Sequence, residues 1–261
     1  MLSSSHFLTV KSFNKFVSRI LSLCSAKTPL RALDFERLRG TVQPRLLQRI
    51  VKYAVSHNVQ QLSISIRFDI QNFPTCLFSW CHTLTSLKLA HDHRATYEET
   101  LFPSSLDLPA LATLSLESFA FCVGDDGRAD PFSTFNSLNS LTIHRCRVLG
   151  AQNLCISSAT LANLTLKTCH EEYGKIELST PSLCTFVFGC SGNIPALKLH
   201  GIENKLSSVK HVEIHACIGN IDADKSLVLL NWLVELANIK SLTINHNALE
   251  VLLAKFDLRK Y

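Results

Sequence analysis

One phrase constrains this chain more than any other feature. Leu138-Asn139-Ser140-Leu141-Thr142-Ile143-His144-Arg145-Cys146 returns one period later as Leu161-Ala162-Asn163-Leu164-Thr165-Leu166-Lys167-Thr168-Cys169. Both read L-x-x-L-x-[IL]-x-x-C. Apolar residues two apart share one side of an extended strand, and the residues between them share the other. The phrase therefore encodes a short strand that turns Leu141 and Ile143 to a core, with Ser140, Thr142 and His144 turned away. A unit this small cannot bury its apolar side alone and needs like neighbours stacked against it.

Such neighbours recur along the chain. Taking the second leucine of the phrase as the marker, copies fall at Leu33, Leu62, Leu87, Leu114, Leu141, Leu164, Phe186, Leu197, Val212 and Leu242, which makes ten strands. Most steps are of similar length, but those either side of Leu197 are too short to hold a helix. Leucines at the first, fourth and sixth places with Asn or Cys at the ninth spell the strand of a leucine-rich repeat. The expected fold is an irregular α/β leucine-rich-repeat solenoid, with parallel strands on a concave face and helices and loops on the convex face. Residues 1–58 are expected to form an N-terminal helix-strand-helix cap and first repeat, and 59–261 the array that continues the same solenoid.

Other elements follow from spacing. Phe13, Phe16, Val17 and Ile20 form an i, i+3, i+4, i+7 stripe, so a helix is expected over 12–25. A strand follows at 30–36. Pro44, suited to a first helical turn, opens a helix to about Ser56. The next strand spans 59–66, and a later helix Lys225 to Ala237. The longest insertions lie at 90–107 and 118–134. The second contains three aspartates between Gly124 and Pro131, but without EF-hand spacing or its terminal Glu it reads as a solvated turn.

Composition narrows the class. Of 261 residues, 46% are hydrophobic and only 18% charged, which excludes a disordered tail. Ten cysteines are spread along the chain with no leader-like segment, so they read as reduced thiols of a cytoplasmic or nuclear protein. Cys146, Cys169, Cys190 and Cys217 close successive strands, where a small thiol packs under the departing turn. No apolar run approaches the roughly 20 residues that span a bilayer, so no membrane is expected. The net charge of +5 is uneven: residues 1–52 hold ten basic residues against Asp34 and Glu36. Lys11, Lys15 and Arg19 lie four apart on one helix side, and Arg45, Arg49 and Lys52 on another. With no accompanying aromatic or RNA-binding motif they read as solvated faces, and no nucleic-acid partner is expected.

No catalytic, metal or cofactor site emerges. His211, Glu213 and His215 share one strand side, but a strand rises about 3.3 Å per residue and holds the two histidines too far apart to grip one ion. His91-Asp92-His93 and Cys169-His170 stand isolated. C-x-x-C, G-x-S-x-G and glycine-rich phosphate motifs are absent, so the chain is not expected to be an enzyme. A binding face is better supported. Stacked strands would align their outward residues in columns, and Lys88, Glu117, Thr142, His144, Thr165, Lys167, Lys198, His200, Glu213 and His215 are the candidate partner-binding positions.

Several phrases together resemble the plant F-box/LRR family, especially its FBD-type members. These are Phe13-Asn14-Lys15-Phe16-Val17 with Pro29-Leu30-Arg31, the run from Ala54 to Leu62, and Phe73-Pro74-Thr75-Cys76-Leu77-Phe78 with Leu84-Thr85-Ser86-Leu87. Leu108-Pro109-Ala110-Leu111, Thr180-Pro181-Ser182-Leu183 and the run from Glu235 to Leu242 extend the match to nearly the whole chain. Ile50 stands where that family usually has a tryptophan. The resemblance implies the target-holding part of an adaptor whose F-box docks a Skp-type protein and a cullin ubiquitin ligase. The residues before Phe13 are too few for an F-box, and the FBD segment expected after the repeats is missing. A Skp-type adaptor and cullin are thus expected partners only if the full-length protein carries an F-box. The alternative is a ligase-independent scaffold or a competitor for the same, unknown, target protein.

Overall fold

The computed structural model describes residues 10–23, 30–68, 81–91, 100–103, 106–125, 127–150, 153–169, 173–192, 194–200, 209–217, 223–236 and 239–254. In its first third the chain runs α1 (Val10–Leu23), β1 (Ala32–Val42), α2 (Pro44–Ser56), β2 (Gln61–Phe68) and β3 (Ser86–His91). Then follow β4 (Thr100–Leu101), β5 (Thr113–Glu117), β6 (Phe119–Cys122), β7 (Ser140–His144), β8 (Arg147–Leu149) and β9 (Asn153–Ser157). The rest is β10 (Asn163–Cys169), β11 (Lys175–Ser179), β12 (Thr185–Ser191), β13 (Ala196–Leu199), β14 (His211–Cys217), α3 (Ala223–Glu235), β15 (Ser241–Ile244) and α4 (His246–Ala254). The expected helix at 44–56 matches α2 to the residue, while α1 starts two residues earlier than expected.

Nine strands form one parallel sheet in the order β1-β2-β3-β5-β7-β10-β12-β14-β15. Each recurring phrase supplies one strand, and the phrases align without slip: Leu62, Leu87, Leu114, Leu141, Leu164, Phe186, Val212 and Leu242 are successive partners. A slip of one residue would turn every apolar side chain to solvent, which fixes the register. The ladder begins one residue before each strand. Thr85 donates to Gln60, Ala112 to Thr85, Asn139 to Ala112 and Ala162 to Asn139, all main chain to main chain at 2.9 Å. Beneath the sheet, Leu87, Leu114, Leu141, Leu164, Phe186 and Val212 are at most 1% exposed.

The second layer is where the expected helices and loops give way to strands. Two three-stranded parallel sheets, β4-β6-β8 and β9-β11-β13, occupy the middle of the chain. Two strands of the first begin at a repeated turn: Ser118 and Arg145, one residue past β5 and β7, take left-handed backbone angles of +62° and +51°. Non-glycine residues adopt that region at a cost of roughly 1–2 kcal/mol. Here it swings the chain off the long sheet and into β6 and β8. Phe102, Phe119, Phe121 and Phe132 fill the space between, with edge-to-face contacts such as Phe121–Phe132 at 5.5 Å. At one end of the chain α1 packs on α2. At the other Trp232 of α3 lies against Phe186 (5.8 Å) and Phe188 (4.6 Å) and donates its indole N–H to the Pro195 carbonyl at 2.9 Å.

One strand sits elsewhere than its phrase suggested. Leu197 belongs to β13 and pairs with Ile176 of β11, while Phe186 pairs directly with Val212. The steps from 186 to 197 and from 197 to 212 are two halves of one ordinary period. Alternation of apolar residues reports a strand but not the sheet that receives it.

The run from Gly124 is a turn closed by main-chain bonds from Gly124 to Arg128 (2.8 Å) and from Gly127 to Gly124 (3.0 Å), with Gly127 at φ +72°. Asp126, His93, His170, most of the 90–107 insertion and the Phe73–Phe78 phrase lie outside the described residues. Of the strand-closing cysteines, Cys146 behaves as expected: its sulfur accepts the Phe119 N–H at 3.4 Å beneath the turn. Cys190 is buried, and burial pushes its thiol up to about 12. Cys217 differs, being exposed and pairing with Ser191, so it faces the side opposite to Cys190.

Candidate interaction face

The face of the long sheet turned away from the core is built from the places between the phrase's apolar residues. Strand register brings eight of the ten candidate residues onto it. Lys88, Thr142, Thr165 and Glu213 lie in one column, with Ser115 between Lys88 and Thr142 and Val187 between Thr165 and Glu213. Glu117, His144, Lys167 and His215 lie in the next, with Gly189 between Lys167 and His215. Asn245, just past β15, is used for structure. Its side chain bonds both the N–H and the carbonyl of Ala216 and caps α4 by accepting the Ala248 N–H at 3.0 Å.

The electrostatics vary along the second column. His144 Nδ1 lies 3.2 Å from Glu117 Oε1. Burial, with help from Arg145 and Lys167, holds the His144 imidazole below its ordinary pKa despite the carboxylate. The two are an ion pair only when the imidazole takes a proton, which the lowered pKa disfavours. Lys167 is exposed and makes no ion pair among the described residues. Glu213 and His215 are both half-exposed and sit 3.5 Å apart, a loose contact.

Lys198 and His200 are not on this face. They follow Leu197 into the second layer, where Lys198 pairs with Glu177 across β11–β13 and His200 Nε2 lies 3.0 Å from Glu177 Oε2. Glu177 is the centre of a charged cluster: Lys175 Nζ is 2.5 Å away and Arg128 Nη1 3.6 Å away, and the carboxylate is only 5% exposed. The hydrogen bond from Lys175 outweighs burial and holds the carboxyl below its ordinary range, with His200 and Arg128 assisting. No family model, curated protein or solved structure matches this chain. What the face can do rests on its own residues.

Chemically the face is suited to contact. Among the described residues no three of His, Cys, Asp and Glu come close enough to hold a metal ion. Among them, too, no helix is long and apolar enough to cross a membrane. Spacing alone did not single out Gly189. Its missing side chain opens a depression of about 320 Å³ in the second column, lined by Lys167, Val187, Cys190, His215 and Cys217. The signal was a glycine inside an otherwise regular strand phrase.

Proposed function

We propose that this chain is a leucine-rich-repeat solenoid whose long-sheet face holds a protein partner, in the manner of the target-recognition region of an F-box ubiquitin-ligase adaptor. One observation carries the reading. Nine parallel strands, regular in register from β2 to β15, align small polar and charged residues in columns on one face, and stacked repeats use such surfaces for binding. The chain acts by contact and not by catalysis, and needs no cofactor. The link to a ligase rests on the resemblance of the phrases from Phe13 to Leu242.

The test is purification of the native protein from its own tissue, with identification of what accompanies it. A Skp-type adaptor and a cullin in the complex support the ligase reading. A stable partner without either makes the chain a free-standing scaffold or competitor. In both cases Lys167→Gln with His144→Gln is expected to weaken the partner at least tenfold with the melting temperature unchanged. Undiminished binding removes the face from the mechanism.

A further inference from the structure

We infer that the depression over Gly189 is the anchor pocket of the proposed binding face, and that it takes an apolar side chain flanked by a carboxylate on the partner. The inference rests on that face being the binding surface. Its starting point is that nothing in the fold requires glycine at position 189. The backbone there is not left-handed, and an added Cβ would meet only ordinary contacts, Lys167 Cγ at 3.6 Å and the His215 carbonyl at 3.8 Å. A glycine within a strand gives up packing and conformational preference, and it persists where another group approaches closely. Here the approach is from the outward side.

The lining specifies the occupant. Val187, Cys217 and the aliphatic stem of Lys167 give an apolar lining to a slot of about 320 Å³, with room for one large partner side chain and the backbone that carries it. The Lys167 ammonium stands at its edge without an ion pair among the described residues, and so is available to a carboxylate. Across the slot, His215 is held, among the described residues, by its 3.5 Å contact with Glu213. An apolar centre with a charged rim is the arrangement in which a few residues dominate a protein interface.

The experiment is a selection of random displayed linear peptides on the purified chain. Affinities of the winners are then read by fluorescence polarisation on wild type, Gly189→Leu, Lys167→Glu and Lys88→Glu. Leucine at 189 occupies the floor of the slot while its Cβ makes only ordinary contacts, so the variant is expected to fold, as a thermal melt followed by circular dichroism will show. The selected peptides should carry Asp or Glu next to an apolar residue. Their affinity should fall roughly tenfold or more on Gly189→Leu and on Lys167→Glu, and by clearly less on Lys88→Glu, which lies on the same face away from the slot. Selection repeated on Lys167→Glu should favour Lys or Arg in place of the acid. Peptides that lose affinity on Lys88→Glu yet bind Gly189→Leu and Lys167→Glu like wild type overturn the pocket and leave the face standing. Peptides indifferent to all three variants overturn pocket and face together, and a library from which nothing is enriched overturns the pocket.

Discussion

Glu177→Gln should destabilise the protein at neutral pH and lose that effect in acid. The carboxylate is 5% exposed and touches Lys175 at 2.5 Å, His200 at 3.0 Å and Arg128 at 3.6 Å. Hydrogen bonds to a charged group are worth about 1.5–3 kcal/mol each when buried. Here the three partners are between 34% and 51% exposed, so water screens them and lowers the total. Glutamine preserves the shape and one acceptor oxygen but not the charge. The expected loss is about 1–3 kcal/mol, which at a urea m-value near 3 kcal/mol per molar moves the midpoint by roughly 0.3–1 M. Because the folded-state pKa is depressed, the stabilisation is complete above the ordinary glutamate value of 4.5 and disappears as pH falls through the lower folded value. Urea titrations of both proteins at neutral pH, near pH 5 and at steps below 4.5 should show a gap that is full at the first two and narrows as the pH falls further. A variant as stable as wild type at neutral pH, or a gap that persists in acid, would refute the reasoning. If the long-sheet face holds the partner as proposed, binding should survive the substitution, since Lys198 and His200 lie off that face.

Three further outcomes are expected. Leu141→Asp should abolish folding: it removes a fully buried leucine worth about 1.5–3 kcal/mol and places a charge between Leu114 and Leu164. A soluble variant that melts cooperatively would break the repeat assignment. Trp232→Phe keeps the ring contacts but strands the Pro195 carbonyl, costing about 1–3 kcal/mol, while Trp232→Ala also opens a cavity and should cost about 3–5. A Trp232→Phe variant as stable as wild type by urea titration would show that the indole bond contributes nothing. For His144 the folded pKa lies below the ordinary 6.5, so the unfolded chain takes the proton first and stability declines as pH drops below that value. His144→Gln should therefore show a shallower fall in melting temperature between neutral pH and about pH 5.5, and parallel profiles would argue against the shift.

How much of this was legible in the sequence differs between the two layers. Nine of the ten expected strands lie in the long sheet because the phrase encodes both the strand and its neighbour. Leu141 is apolar for the same reason that Leu114 and Leu164 are. The second layer carries no such phrase. Phe119-Ala120-Phe121 and Leu154-Cys155-Ile156 are short apolar runs buried on both sides, and a run of that kind does not declare its period. Two turns that launch it, at Ser118 and Arg145, use residues with little preference for the left-handed conformation. Their angles are set by the ladder, in which Ser118 donates to His144 and Arg145 to Lys167, both at 2.9 Å. Tertiary pairing decided the local structure there.

The misplaced strand shows what this implies for function. Ile194, Leu197 and Leu199 satisfy the apolar pattern as well as any copy does, and on pattern alone Lys198 and His200 belonged beside Glu213 and His215. The period argued otherwise, because Phe186 and Val212 are already one ordinary repeat apart. Spacing between copies therefore outranks the match of any single copy when residues are assigned to a face. The same rule gives Gly189 its meaning. Its position is fixed by Lys167 on one side and His215 on the other, each one period away, so it belongs to the face although its own residue type says nothing of binding. A column of side chains interrupted by hydrogen is a recess by construction. Its depth comes from the neighbours, which is why it could be located by counting but not described until the strands were in place.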